Sequence, residues 1–332
     1  MNICIIGAGG WGTALGILLH NNRHNVTLWE YNKEYAHTLD EFRENFYFLP
    51  KVKIPKKIYV TNDIEHAVNK KDLILISTPT QFIRGVIENI KHIDLRNRII
   101  LSVSKGIENN TLLSVSKIFL DVFTKIERKN IVVLSGPSHA EEVARRIPTA
   151  VVASSENISN AAAVQKAFSN KFFRVYRSDD IIGVEMGGAL KNIIALAAGV
   201  ADGAGFGDNT KAAIMTRGIK EITRLGMKLG AREHTFFGLS GIGDLIVTCM
   251  SKLSRNRFVG EEIGKGRKLK DVLAEMKMVA EGVSTTQSTY ELARKMKVEL
   301  PISEQVYKVL FQGKNPHKAT EILMTRNLKS EH

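Results

Sequence analysis

Three glycines, Gly7, Gly9 and Gly12, spaced G-x-G-x-x-G, follow directly on the apolar run Asn2 to Ile6 and directly precede an amphipathic stretch. That context suits a strand, a tight turn and a helix whose bare N-terminal N–H groups and positive dipole end can hold a pyrophosphate. The first glycine permits the turn, the second lets backbone approach the phosphates, and the third lets helix and strand pack closely. A tight turn that binds nothing is the plainer reading. Glu30 closes the next apolar run, about 20 residues past the last glycine, where an acidic side chain reaches ribose hydroxyls. A solvated glutamate at a strand end would look the same.

A second chemistry attaches to Lys191, an ionisable residue set in the small and apolar run Glu185-Met-Gly-Gly-Ala-Leu-Lys191-Asn192. Oxidising a hydroxyl needs a base to take its proton while hydride leaves the adjacent carbon. A lysine becomes a neutral base only where burial or a neighbouring cation, such as Lys105, lowers its pKa. Gly187 and Gly188 cost a helix ~1 kcal/mol each relative to Ala, a cost that makes sense if another body comes close there. From periodicity alone, a surface lysine is the commoner case.

The elements that must position these residues can be read from pattern. Apolar β-rich runs at Ile3 to Ile6, Val26 to Trp29, Leu73 to Ile76, Ile99 to Leu101, Ile131 to Leu134 and Ala150 to Ala153 alternate with helical stretches at Trp11 to His20, Gln81 to Ile90 and Leu112 to Val122. Such alternation predicts βαβ units around a parallel sheet. The segment Glu44 to Lys57, with Pro50 and Pro55, reads as a loop. After Val175 helical stretches follow one another: Ile181 to Val200, Lys211 to Leu229, Phe258 to Gly264, Leu269 to Met276, Thr285 to Lys295 and Ile302 to Phe311. The expectation is an α/β Rossmann-type doubly wound sheet in residues 1–180, binding a dinucleotide. An all-α C-terminal domain follows in residues 181–332, entered directly through a helix. Gly199, Gly203, Gly205 and Gly207 read as an interhelical turn. Gly260 to Gly266 lacks the spacing and the hydroxyl of a phosphate-binding P-loop, and Val309 to Gly313 continues a helix.

Composition excludes several classes. The 332 residues are 44% hydrophobic and 24% charged, as in ordinary soluble globular chains. Two cysteines, Cys4 and Cys249, provide neither a disulfide framework nor a metal cluster, so no metal is expected and a reducing, cytoplasmic setting is. The N-terminal apolar run has no preceding Lys or Arg and is broken by glycines, so it reads as mature structure rather than a signal peptide. No stretch reaches the ~18 continuous apolar residues of a membrane span. A net charge of +13 favours anionic partners. Nucleic acid is not expected among them, because aromatics make up only 7% and do not interleave with basic runs such as Lys51 to Lys57 and Arg294 to Lys297.

The loop GAGGWGTA, Ser104-Lys105-Gly106, Ser135-Gly136-Pro137-Ser138, the helix GGALKN, the run GLSGIGDLIVTC, Ser254-Arg255-Asn256-Arg257 and Val279-Ala280-Glu281-Gly282 occur in order along nearly the whole chain. Together they resemble the bacterial NAD(P)-dependent glycerol-3-phosphate dehydrogenases. The resemblance implies interconversion of dihydroxyacetone phosphate and sn-glycerol 3-phosphate by hydride transfer with NAD or NADP, supplying glycerophospholipid synthesis. It makes Lys191 the catalytic acid/base and places Lys105, Gly136, Ser138, Asp244, Ser254, Arg255 and Asn256 at the substrate. It sets Gly10, Trp11, Tyr31, Ala140, Val279 and Glu281, with Lys105 and Arg255, beside the glycines and Glu30 along the dinucleotide. The partner is then a small phosphorylated triose, with a homodimer left open.

These roles stand beside plainer ones. Ser254 can cap a helix opening near Asn256 and gather N–H groups, Arg255 and Asn256 around one phosphate, or be an ordinary N-cap with solvated arginines. Asp244 can hold a hydroxyl or orient Lys191, or simply form a turn. His139 reads as a surface or supporting histidine. Two positions depart from the family pattern. Gly10 stands where Ser is frequent, and Tyr31 and Asn32 stand where NADPH users carry Arg or His, which predicts a preference for NADH. The alternatives are a β-hydroxyacid or 6-phosphogluconate-type dehydrogenase, which shares the Lys-Asn helix motif, and a basic nucleic-acid-binding protein.

Overall fold

The computed structural model describes residues 1–328, 330 and 331. The first half runs β1 (Asn2–Ile6), α1 (Gly10–Asn21), β2 (Asn25–Trp29), α2 (Lys33–Phe42), β3 (Glu44–Asn45), β4 (Leu49–Lys53), β5 (Tyr59–Thr61), α3 (Ile64–Val68), β6 (Leu73–Ile76), α4 (Thr80–Glu88), β7 (Ile99–Ser102), α5 (Val115–Val122), β8 (Ile131–Ser135), α6 (Ala140–Ala144), β9 (Thr149–Ser154), α7 (Ile158–Phe168) and β10 (Phe173–Ser178). An eight-stranded sheet of order β10-β9-β8-β7-β6-β1-β2-β5 carries apolar layers on both faces. Its central strands are buried throughout, as parallel strands covered by helices must be.

The sheet is not parallel throughout. β9 runs antiparallel to β8, and β10 then lies parallel to β9. The link between β8 and β9 holds only α6. Its five residues advance roughly 8 Å, whereas a five-residue strand spans roughly 17 Å, so the chain returns from the end at which it arrived. β10 escapes the sequence pattern because it is an edge strand whose Arg174, Tyr176 and Arg177 face out between buried Phe173 and Val175. Its outer edge is sealed locally. The Val175 N–H donates to Ser169 Oγ (3.3 Å), its carbonyl accepts from Gln165 Nε2 (2.7 Å), and the Phe173 carbonyl accepts from the Asn170 N–H (2.9 Å).

The segment Glu44 to Lys57 is not a plain loop either, for β3 and β4 form a small antiparallel hairpin. Asn45 fastens it over the glycine turn, its Nδ2 donating to the Ala8 carbonyl (2.7 Å) and to Thr13 Oγ1 (2.8 Å). Tyr35 Oη donates to Asn45 Oδ1 (2.6 Å), which completes a fully buried amide.

From Ile181 onward the chain is helical: α8 (Ile181–Gly203), α9 (Asp208–Lys228), a wide π-type turn (Leu239–Gly243), α10 (Asp244–Met250), α11 (Arg255–Gly264), α12 (Leu269–Glu275), α13 (Glu281–Met296), α14 (Pro301–Gln312) and α15 (Pro316–Met324). Two residues, Asp179 and Asp180, join β10 to α8, and Asp180 caps it by accepting from the Gly183 N–H. By length and composition α8 would cross a membrane, yet 94% of its apolar window is buried within the protein, as the axis of the helical core. Gly199 and Gly203 belong to the last turns of α8, while Gly205 and Gly207 form the turn to α9. The two helical glycines are there for contact, since a Cβ on either would strike the α11 carbonyls of Arg257 or Glu261. Gly266 ends the α11 segment in a left-handed turn, not a phosphate loop. Val309 to Gln312 completes α14, with Gly313 as its left-handed cap.

Candidate active site

β1, the glycine turn and α1 fold as their pattern requires. Gly7 has φ +109°. A Cβ at Gly12 would run into the Gly7 carbonyl, so the third glycine is what lets α1 start against the strand. At Gly9 nothing lies within 4 Å of a Cβ position, leaving bare backbone at the mouth of the cleft. No side chain caps α1. Open space, free N–H groups and a helix N-terminus together form a cradle that fits a dinucleotide's pyrophosphate. Gly10 lies under the hairpin, where a Cβ would collide with the Phe48 carbonyl, so a serine cannot stand here without moving β3 and β4. A Cβ at Gly10 would stand 3.8 Å from that of Ala140 at the start of α6. Trp11 is half-buried against the sheet core.

Glu30 ends β2 half-buried, its carboxylate accepting from the Asn32 N–H (3.0 Å). Burial raises its pKa, and the backbone N–H groups around it pull the other way. Tyr31 is 80% exposed, edge-on to Trp29. Arg43 does not reach Glu30's surroundings as a spare cation, because its guanidinium is held by Asp40 and by the Ile58 carbonyl.

The lysine cluster lies where β7 and β8 end. Lys105, three residues beyond β7, sends its Nζ to the Gly136 carbonyl (3.1 Å) and to Asp244 Oδ2 (2.6 Å). Lys191 Nζ, from the middle of α8, donates to Asp244 Oδ1 (2.6 Å) and to Thr248 Oγ1 (2.6 Å). Lys191 and Asp244 are both buried, so the plainer reading of a surface lysine is wrong. Burial drives the Lys191 ammonium down to about 8; Lys105 pushes the same way, against the pull of Asp244. Burial works to raise the Asp244 pKa, but two ammonium groups outweigh it and hold the carboxyl below its usual range. The two helical glycines have the expected cause. A Cβ at Gly187 would stand 2.5 Å from the Ser240 carbonyl oxygen, and one at Gly188 would stand 2.7 Å from Ser135 Oγ.

A third group approaches from α11 and α13. Ser254 caps α11, its Oγ accepting from the Arg257 N–H (3.2 Å). Arg255 is exposed and donates from Nη1 to the Val279 carbonyl (2.9 Å), with the charge of Glu281 nearby. Asn256 is buried and spent on structure: its Nδ2 donates to Asn192 Oδ1 (2.9 Å), and its Oδ1 accepts from the Gly282 N–H (2.9 Å). Glu281, at the head of α13, accepts from the Thr80 N–H (2.8 Å) at the start of α4, and burial pushes its carboxyl up to about 7. Ser138 Oγ turns back to the Gly136 carbonyl (2.9 Å). His139 is half-buried with Nε2 unpartnered among the described residues, and burial, then Lys191, lower its pKa.

Comparison with known proteins decides the family. The model of the NAD-dependent glycerol-3-phosphate dehydrogenase N-terminus matches residues 2–161, and that of the C-terminus matches residues 180–321. This chain belongs to the NAD-dependent glycerol-3-phosphate dehydrogenase family. A glycerol-3-phosphate dehydrogenase, NAD(P)+, of Geobacter sp. (strain M21) is 50% identical over 329 residues, 99% of this chain and 98% of the relative. That of Thermoanaerobacter sp. (strain X514) is 48% identical over 331 residues, covering 100% and 99%. The crystal structure of glycerol-3-phosphate dehydrogenase from Coxiella burnetii superposes with a TM-score of 0.94 at 33% identity, over 98% of this chain and 99% of that one. D-mandelate dehydrogenase, at 14% identity and a TM-score of 0.62, shares the fold alone.

In this family member, the predicted residues form two groups: the glycine turn with Glu30 and Ala140, and the Lys105–Asp244–Lys191 cluster with Gly136 and Ser138. Arg255, Val279 and Glu281 stand between α11, α13 and the start of α4. Sequence reasoning overlooked Thr248, Thr80 and Asn45. Thr248 was legible in principle, since it lies four residues past Asp244 on one helix and therefore shares its face. Thr80 acts through its backbone and Asn45 through a buried amide, and neither leaves a pattern.

Proposed function

We propose that this protein interconverts dihydroxyacetone phosphate and sn-glycerol 3-phosphate, feeding glycerophospholipid synthesis in the cytoplasm. The observation that carries this reading is the buried Lys191–Asp244–Lys105 cluster at the carboxyl ends of β7 and β8, where ligands meet in doubly wound sheets. A bound nicotinamide would supply hydride as NADH or NADPH in the reducing direction and accept it as NAD+ or NADP+ in the oxidising one, at the carbon bearing the reacting oxygen. Lys191, poised near neutrality, gives a proton to that oxygen in reduction and removes it in oxidation. Asp244 and Thr248 hold the Lys191 amine in place; Lys105 keeps its pKa low and, with Gly136 and Ser138, faces the substrate.

Ser254, Arg255 and the free N–H groups opening α11 fit the substrate phosphate. Asn256 sets the distance between α8 and α13, so its role at the substrate is through position. The dinucleotide lies along Gly7, Gly9, Gly10, Trp11 and Gly12, with Glu30 and Tyr31 at the adenosine ribose. Lys105, Ala140, Arg255, Val279 and Glu281 line its other end. The chain divides between residues 180 and 181.

The test is a spectrophotometric assay with NADH and NADPH in separate reactions, offering dihydroxyacetone phosphate or short β-keto acids. Turnover of the phosphorylated triose alone is expected, and preference for a β-keto acid would overturn the reading. NADH should be favoured, because Glu30 repels a 2′-phosphate and Tyr31 and Asn32 bring no cation to offset it. A Glu30→Ala, Tyr31→Arg double variant should shift kcat/KM toward NADPH, whereas a wild type already preferring NADPH would show Glu30 turned from the ribose.

A further inference from the structure

Beyond the active-site cleft, one face concentrates unpaired positive charge. Two grooves meet at residues 170–173, one along α7 and β10, the other between the ends of α1 and α6. Together they are lined by Arg146, Lys166, Lys171 and Arg174 and by no Asp or Glu. None of these four cations has an ion-pair partner among the described residues, in contrast to the cluster of Lys265 and Arg267, which is neutralised by Glu262. The floor between them is apolar, with Ile17, Leu18, Ile147 and Phe172. Ile147 and Tyr176 are exposed, at 39% and 45%.

We propose that this face docks on an anionic phospholipid surface. Cations beside exposed aliphatic and aromatic groups match the headgroup region, where charge meets phosphate while rings and aliphatic ends enter the acyl boundary. The aromatic residues distinguish this partner from single-stranded nucleic acid. Arg174 lies over the Tyr176 ring, 5.0 Å from its centroid, and Lys171 Nζ lies 5.5 Å from that of Phe172, so one face of each ring is already taken by a cation and less ring surface is left for a base to stack on. β-strand addition by an acidic peptide is disfavoured in the same place, because the β10 edge is closed by Gln165, Ser169 and Asn170.

The experiment is flotation of the full chain with vesicles of equal parts phosphatidylglycerol and phosphatidylcholine, against phosphatidylcholine alone, at low and high salt. Binding is expected to the anionic vesicles only, and to weaken with salt. A Lys166→Glu, Lys171→Glu, Arg174→Glu variant changes residues outside the active-site cleft, so its kcat/KM should match wild type and report intact folding. Each cation near the surface contributes roughly fivefold to affinity, so the triple variant should bind about 10²-fold more weakly. A wild type that ignores anionic vesicles would overturn the proposal, as would a variant that binds them undiminished. Tighter binding of a single-stranded RNA oligonucleotide than of vesicles, abolished by the same three substitutions, would assign the face to nucleic acid instead.

Discussion

Two buried carboxylates attached to α8 have opposite surroundings. Asp244 faces Lys191 and Lys105 and is held below its usual pKa. Glu185, six residues before Lys191 on the same helix, takes its hydrogen bonds from serines instead: it accepts from Ser114 Oγ (2.9 Å), the Ser116 N–H (2.8 Å) and Ser116 Oγ (2.6 Å), and burial raises its pKa against a weaker pull from Lys117. Glu221 repeats the second arrangement, fastening the start of α14 through the Ile302 and Ser303 N–H groups (2.6 and 3.1 Å). A carboxylate satisfied by dipoles locks elements together, here α5 to α8 and α9 to α14. One shared by two ammonium groups makes proton affinity adjustable, because each member's pKa depends on the others.

The strongest break of this contrast is Lys191→Ala. It should lower kcat at least ~10²-fold while binding of NADH, followed by its fluorescence, persists; near-normal turnover would remove Lys191 from the chemistry. Asp244→Asn deletes the anion and leaves Lys105 facing Lys191. The Lys191 pKa should then drop from about 8 by at least ~1 further. Reduction needs protonated Lys191, so its activity is lost as pH rises through that value, and the alkaline limb of the kcat profile should move toward acid. A limb that stays in place would show that Asp244 does not tune the amine.

Arg255→Ala extends the comparison to a cation waiting for an anion. Its loss should raise KM for dihydroxyacetone phosphate ~10-fold or more, as expected for a charge-assisted contact, and weaken inhibition by inorganic phosphate in parallel. Unchanged phosphate inhibition would place that site elsewhere. Glu185→Gln should have the smallest effect on catalysis, with kcat within about twofold of wild type, since Glu185 hydrogen-bonds to serines and not to the lysine cluster. Its signature lies in stability. A raised folded pKa contributes stability that is present below the unfolded value of 4.5 and lost as pH rises through the folded value. Wild-type unfolding free energy in urea should therefore fall with rising pH above 4.5 more steeply than that of the Gln variant. Parallel slopes would mean the carboxyl titrates normally.

Much of this arrangement was legible. The glycine turn announces itself because only a strand, a sharp turn and a helix satisfy its spacing, and Lys191 stands out because its helix gives up two Cβ atoms beside it. Ser254 was readable as a cap from local chemistry. What escaped depends on contacts distant in sequence. The β3–β4 hairpin carries Pro50 and Pro55 and reads as loop, since its stability comes from Asn45 reaching back to Ala8 and Thr13. The reversal at β9 follows from the shortness of α6, which apolar pattern does not encode. Asn256 is a candidate substrate ligand by residue type, and its bonds to Asn192 and Gly282, far apart in sequence, leave no local pattern.

The Asn45 clasp also bears on how tightly a dinucleotide can be held. A glycine-rich turn free in solution samples many shapes, and fixing one residue's backbone costs about 1–2 kcal/mol. Here the Ala8 carbonyl and Thr13 hydroxyl are already fastened to a buried amide before any ligand arrives. That entropy is lost during folding rather than during association, so binding at the cradle draws on preorganised N–H groups. Loosening the hairpin would then weaken cofactor affinity from outside the cradle, without removing a single atom that touches it.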